Sequence, residues 1–240
     1  MPSLTSHLLK LDPAGLDKAT QHPFLKAAAT SSLPQAKLRH WLAQDRMYAL
    51  SYVNFIGSLL AQLSVPTGSN RENSIEWRVA DVLIDALDNI RREIRLFEQV
   101  AEDEGFKDEI CDVECERATR CYQDLFAGSV AQGRPVIVGL VVLWATEECY
   151  LRSWKFAKEH LKFEGEGEAD VMQKTFIPNW TSPEFEAFVR RLGGLVNKMC
   201  NEWGVEEGGW VWKECEAAWK QVVWVEGEFW PECQEAILAQ

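Results

Sequence analysis

Between Pro34 and Leu63 the chain carries Leu38, Trp41, Leu42, Tyr48, Tyr52 and Phe55 at helical intervals, with Asp45 inside the same stripe. Apolar residues recurring every three or four places mark one face of an α-helix. The turn Pro66-Thr67-Gly68-Ser69-Asn70 ends this segment. A second long segment, about Arg71 to Glu104, repeats the pattern with Ile75, Val79, Val82, Leu83, Leu87, Ile90, Ile94 and Phe97, and Gly105 stops it. Helices this long must bury their stripes against neighbours, and no segment offers a convincing strand. The β-branched run Val136 to Val142 could be a buried strand in isolation. Its continuation from Glu147 to Leu161 is helical in composition, so a buried helix from Pro135 to Lys162 is the better reading.

The remaining elements follow from breakers and spacing. A short helix over about Gly15 to Thr30 bends or restarts at His22-Pro23, and Ser31-Ser32-Leu33-Pro34 caps the long helix that follows. Further helices are expected over Val113–Ala127, Ser182–Trp203 and Gly209–Leu238. The acidic stretch Glu164 to Glu168 reads as a solvated loop, since it lacks the glycine spacing and the charge of a phosphate cradle. Long amphipathic helices with short connections mean an all-α, multi-helical bundle. No repeat and no Pro/Gly/Ser linker divides the chain, so a single domain over residues 1–240 is expected.

Charge narrows the partners. Lys and Arg number 25 against 37 Asp and Glu, a net charge of −12. Nucleic-acid affinity rests on cations against phosphates, so a nucleic-acid partner is not expected, nor is an anionic membrane surface. The longest apolar run, Val136 to Ala145, is half of the roughly 20 residues that a span requires. No basic region followed by an apolar stretch opens the chain. The seven cysteines are odd in number and include no C-x-x-C, which reads as reduced thiols in a cytoplasmic protein. The sequon Asn179-Trp180-Thr181 then has no glycosylation route. Cys111 and Cys115 lack a nearby His to complete a zinc site. None of the four His follows a Glu by three residues, so the di-iron bundle motif is absent. No metal and no cofactor are expected.

One pattern points to chemistry. Asp45 precedes Tyr48, Glu93 precedes Phe97, Glu147 precedes Tyr150, and Glu226 precedes Phe229 and Trp230, each by three or four residues. Such pairs share a helix face. Asp45, Glu147 and Glu226 also lie within apolar stretches, where an unpaired acid is costly. Taken singly, each pair is explained by an aromatic in the core and an acid at the boundary. If the faces converge, they form a cavity with fixed acids and flat walls, suited to a flat, nitrogen-rich, protonatable ring.

The order of several segments resembles the TenA/thiaminase II family. His22-Pro23-Phe24-Leu25, Leu33-Pro34 and Trp41-Leu42-Ala43-Gln44-Asp45 resemble its opening. Glu93-Ile94-Arg95-Leu96-Phe97, Thr119-Arg120-Cys121-Tyr122, Leu143 to Tyr150, Phe176 to Trp180 and Glu226-Gly227-Glu228-Phe229-Trp230 resemble later family segments in turn. The resemblance implies a heme-oxygenase-like fold without haem, a small-molecule pyrimidine pocket used in thiamin salvage or degradation, and a homo-oligomer, dimer or tetramer. Its better-known branch carries a catalytic Cys where this chain has Thr146. Trp144-Ala145-Thr146-Glu147 resembles a second branch that carries a Glu on the same helix.

The activity so implied is an aminopyrimidine aminohydrolase. It would hydrolyse an amino- or formylamino-methylpyrimidine to the hydroxymethylpyrimidine. Asp45 would hold the ring's amino group and adjacent nitrogen, Glu226 another ring nitrogen, and Glu147 the leaving amine or the water. Tyr48, Tyr122, Tyr150 and Trp180 would supply walls and hydroxyl donors, and Glu93 would contact substrate or orient neighbours. Two alternatives stay open. One is a non-catalytic pyrimidine sensor or carrier. The other is a thiaminase II that uses Cys149. The eleven Trp are concentrated at Trp203, Trp210, Trp212, Trp219 and Trp224, and most of these are expected in the core or at a subunit contact.

Overall fold

The computed structural model describes residues 3–161 and 170–233. The helices are α1 (Leu4–Leu8), α2 (Pro13–Thr20), α3 (Pro23–Ala29), α4 (Gln35–Gln62), α5 (Ile75–Asp103), α6 (Arg117–Ser129), α7 (Val136–Glu159), α8 (Ile177–Trp180), α9 (Pro183–Glu202) and α10 (Trp210–Phe229). No strand occurs among the described residues, and the protein is an all-α bundle as its periodicity implies.

Local chemistry explains where the helices begin. The side chain of Asp12 accepts from the Gly15 N–H at the start of α2, and the His22 ring accepts from the Phe24 N–H at the start of α3. His22-Pro23 is therefore a restart rather than a bend, with Pro23 at the first helical position where its missing N–H costs nothing. Ser74 caps α5 by accepting from the Trp77 N–H, so the expected helix from Arg71 splits into a 3₁₀ turn, Arg71–Asn73, and α5 proper. Gly105 adopts φ 76° and closes α5, with the Phe106 N–H donating to the Ala101 carbonyl at 2.8 Å.

Four boundaries differ from the sequence reading. Ser31 and Ser32 do not cap α4, whose N-cap Pro34 has no side-chain bond. The Ser32 N–H instead donates to the Ala27 carbonyl and finishes α3. Helix α6 starts at Arg117 rather than Val113. Gln44 holds the preceding backbone away from helix by donating to the Glu114 carbonyl at 2.9 Å and accepting from the Glu116 N–H at 3.1 Å. Helix α7 ends at Glu159, short of Lys162. Helix α10 ends at Phe229, because Pro231 drives Trp230 to an extended backbone, φ −73° and ψ 131°. The stretch Glu164–Glu168, and the far end of the expected last helix, lie outside the described residues.

Helix α7 is the axis of the bundle. It packs against α2, α3, α4, α6, α8, α9 and α10. Every residue from Ile137 to Thr146 is buried, which is why that segment shows no polar face in the sequence. Its second half turns Glu147 and Tyr150 toward their hydrogen-bond partners on α4. Of the five tryptophans near the C-terminus, Trp212 and Trp219 are core residues, whereas Trp203, Trp210 and Trp224 are exposed. No helix among the described residues is long and apolar enough to cross a membrane.

Candidate active site

Four helices each bring one carboxyl to the same region: Asp45 on α4, Glu93 on α5, Glu147 on α7 and Glu226 on α10. Asp45 and Glu226 are buried, each 3% exposed. Glu93 and Glu147 are half-buried. Each acid accepts one hydrogen bond from an aromatic donor on a different helix. Tyr150 donates to Asp45 Oδ2 at 2.6 Å, Tyr52 to Glu147 Oε1 at 2.5 Å, and Trp180 Nε1 to Glu93 Oε1 at 2.5 Å. Tyr122 donates to Glu226 Oε2. Helices α4 and α7 thus exchange donors: an acid of each is held by a tyrosine of the other. All four tyrosines of the chain are here, the fourth being Tyr48, packed edge-on against Tyr122.

Among the described residues no cation forms an ion pair with these four acids, and burial dominates their titration. Burial pushes Glu147 up to about 8, with the charge of Glu93 adding to the rise and the Tyr52 hydroxyl opposing it. Burial likewise raises Glu93 to about 7 against the Trp180 N–H and the charge of Arg92. Glu226 rises to about 7 for the same reason, opposed by Tyr122. Asp45 is held well above the ordinary carboxylate range by burial, with Tyr150 opposing and the charges of Glu93 and Glu226 adding. The tyrosines are pushed up by burial and remain hydroxyl donors. Oε1 of Glu226 is buried and has no protein partner among the described residues. A buried acceptor left open is costly, and it marks a position for a ligand N–H or a water.

A cavity of about 410 Å³ opens between α5 and α9 and has Glu93, Glu147 and Tyr52 among its lining. Ala86, Ile90, Leu96, Phe185 and Phe188 supply its apolar walls, and Asn89, Arg92, Asn179, Ser182 and Glu184 its polar part. Asp45, Glu226, Tyr48, Tyr122 and Tyr150 are not in that lining. Of these, Asp45, Glu226 and Tyr122 are buried and Tyr48 and Tyr150 half-buried; Tyr48 meets Tyr122 edge-on at 4.9 Å and Phe229 meets Tyr122 edge-on at 5.6 Å. Trp180 differs from its expected role as a wall. It is buried, stacked on Trp154 at 4.9 Å and on Phe176 at 5.4 Å, and acts as the donor to Glu93.

The four acids that the spacing singles out lie in one region, each bonded to an aromatic donor of another helix. The aromatics three or four residues away share a face with each acid, yet the hydrogen bonds run between helices. Tyr52 was missed. It sits seven residues after Asp45, two helical turns on the same face, and the reading stopped at one turn. Cys149 is buried and absent from the cavity lining, and burial with the charges of Glu226 and Glu148 pushes its thiol well up. Such a thiol is a poor nucleophile. All seven cysteines are free.

Comparison with known proteins agrees with this architecture. A model of the TENA/THI-4/PQQC family matches residues 9–230. A Fusarium pseudograminearum protein named a probable transcription factor is 26% identical over 262 residues, covering 96% of this chain and 52% of that protein. The chain therefore spans about half the length of that relative. A Glycine max protein named a probable bifunctional TENA-E protein is 23% identical over 218 residues, covering 88% of this chain and 85% of that one. Among solved structures, the TenA homologue of Pyrococcus furiosus superposes with a TM-score of 0.78 at 20% identity, covering 95% of this chain and 98% of that chain.

Proposed function

The chain belongs to the TENA/THI-4/PQQC family, and from that premise we propose that it is a thiamin-related hydrolase of the carboxylate type. It hydrolyses an amino- or formylamino-methylpyrimidine to the hydroxymethylpyrimidine. The observation that carries this reading is the pair Glu93 and Glu147. They share one cavity, and each has one oxygen held by an aromatic donor on another helix. The family's catalytic-Cys position is Thr146 here, and the one cysteine near it is a buried thiol.

The reaction replaces the exocyclic nitrogen on the ring's methylene carbon with the oxygen of water. An amine leaves carbon poorly unless it receives a proton. Glu147, raised to about 8, is the acid that keeps a proton at neutral pH and gives it to the leaving nitrogen. Glu93, at about 7, is the more readily ionised member and takes a proton from the attacking water. Burial raises both acids and they share the cavity, so one can hold a proton while the other takes one. Asp45, fixed by Tyr150, holds the ring amino group and the adjacent nitrogen. The open oxygen of Glu226 receives another ring N–H, drawing electron density into the ring as the C–N bond breaks. Tyr48 and Tyr122 flank the ring, and Tyr52, Tyr150 and Trp180 position the acids.

The test is ammonia release from 5-aminomethyl-4-amino-2-methylpyrimidine by the purified protein, with thiamin and the N-formyl compound alongside. Release from the aminopyrimidine supports the hydrolase. Saturable binding without ammonia selects a sensor or carrier instead, a reading favoured by the name of the Fusarium relative. We further propose that the protein is cytoplasmic and homo-oligomeric, with mass by light scattering as the check on assembly.

A further inference from the structure

The cavity is larger than the reaction so far requires, and it extends in one direction. Asp45 and Glu226 lie outside the cavity lining; on the hydrolase reading they would hold the ring, with its exocyclic nitrogen toward Glu147 and Glu93. Beyond these two acids the cavity continues between α5 and α9 to the surface. A substituent on that nitrogen has this cleft to occupy. Its volume of about 410 Å³ falls within the roughly 300–1,000 Å³ range of small-molecule sites, whereas a formyl group brings only two heavy atoms.

The lining specifies what fits. Ile90 and Leu96 on α5 face the cleft with Phe185 and Phe188 on α9, an apolar passage. The half-buried Asn179 side chain makes no hydrogen bond to the described residues and can pair with both N–H and C=O of an amide. The charged lining groups exclude an anionic tail. Glu93 and Glu184 bring carboxyls beside the protonated Glu147, and the one cation of the lining, Arg92, is already engaged by Asp88 and Asn89.

We propose, on the basis of the hydrolase reading above, that the substrates are aminomethylpyrimidines whose exocyclic nitrogen bears a neutral acyl chain longer than formyl, lying in the cleft between α5 and α9. Water adds its oxygen to the ring's methylene carbon and the bond from that carbon to nitrogen breaks. The chain leaves as a primary carboxamide. The proton on the departing nitrogen comes from Glu147, and the proton lost by water goes to Glu93.

The test is a chain series on one ring: free amine, N-formyl, N-butyryl and N-hexanoyl. Binding to Glu147→Gln is read by tryptophan quenching, and kcat/KM is read on the wild type. Each methylene taken up by an apolar wall tightens binding roughly fourfold, so the butyryl compound binds more than tenfold tighter than the formyl. Phe188→Trp, which narrows the cleft, reduces the butyryl-to-formyl ratio. Equal or weaker binding of the butyryl compound overturns the proposal while leaving the hydrolase standing if the short compounds turn over. Tighter butyryl binding that Phe188→Trp abolishes, with no compound turned over, supports the cleft's ligand class and overturns the hydrolase.

Discussion

The hydroxyl of Tyr52 on α4 donates to Oε1 of Glu147 on α7 at 2.5 Å, while Tyr150 of α7 donates to Asp45 of α4 at 2.6 Å. The two helices hold each other's acids, so the orientation of Glu147 depends on a residue that carries no chemistry of its own. Removing this donor withdraws a hydrogen bond to a carboxyl that is protonated in the active form, worth about 0.5–1.5 kcal/mol. Tyr52→Phe is expected to lower kcat by about two- to tenfold. Because the hydroxyl favours the ionised form of Glu147, its loss also moves the alkaline limb of the kcat–pH profile to higher pH. A lowered kcat with an unmoved limb would contradict this role.

The pH profile of the wild type is expected to be a narrow bell. Activity rises as Glu93 ionises near 7 and falls as Glu147 loses its proton near 8. The two limbs belong to the pair, since the acids share a cavity. Steady-state kinetics in buffers of constant ionic strength measures this directly. A broad plateau from pH 5 to 9 would remove the acid–base assignment.

Stability follows the same groups with a definite sign. Glu93, Glu147 and Glu226 titrate higher in the folded chain than in the unfolded one, so the folded state binds more protons between the two values. The resulting stabilisation is fully present below about 4.5 and is lost as pH rises through 7 and 8. The Tm of the ligand-free protein is therefore expected to fall between pH 5 and pH 8. Glu226→Gln should flatten that slope and raise Tm at pH 8, which scanning fluorimetry would record.

Tyr122 is the only protein donor to Glu226 among the described residues, and Oε1 of that acid is already open. Tyr122→Phe leaves both oxygens of a buried carboxyl without a protein partner. The expected cost is about 1–3 kcal/mol at neutral pH, measured by urea unfolding. It should shrink at pH 5, where the carboxyl is neutral.

Cys149→Ala is expected to retain turnover, and the native protein should resist inactivation by iodoacetamide. The thiol is buried and pushed well above its usual range. Loss of activity in this variant, with the fold intact, would restore the thiaminase reading.

The fold was legible because its signals are local. The stripe from Leu38 to Phe55, the restart at His22-Pro23 and the stop at Gly105 each come from neighbours in sequence. The acids were legible for a related reason: Asp45, Glu147 and Glu226 interrupt apolar stretches, and burial without purpose is costly. The pairings were not legible. A helix face places Tyr150 near Glu147, but the choice of Asp45 as its acceptor depends on the register between α4 and α7, a tertiary quantity. The start of α6 was hidden for the same reason, because Gln44 lies far from Glu116 in sequence. Trp180 reads as a stacking surface until Phe176 and Trp154 are seen to occupy its faces, leaving only its N–H for the site.

The most direct test compares the wild type with Glu147→Gln, using 5-aminomethyl-4-amino-2-methylpyrimidine, by ammonia release and tryptophan quenching on the same preparations. The account predicts that the wild type releases ammonia and that Glu147→Gln keeps its fold, binds the compound and releases none. Undiminished release by the folded variant would contradict the central role given to Glu147.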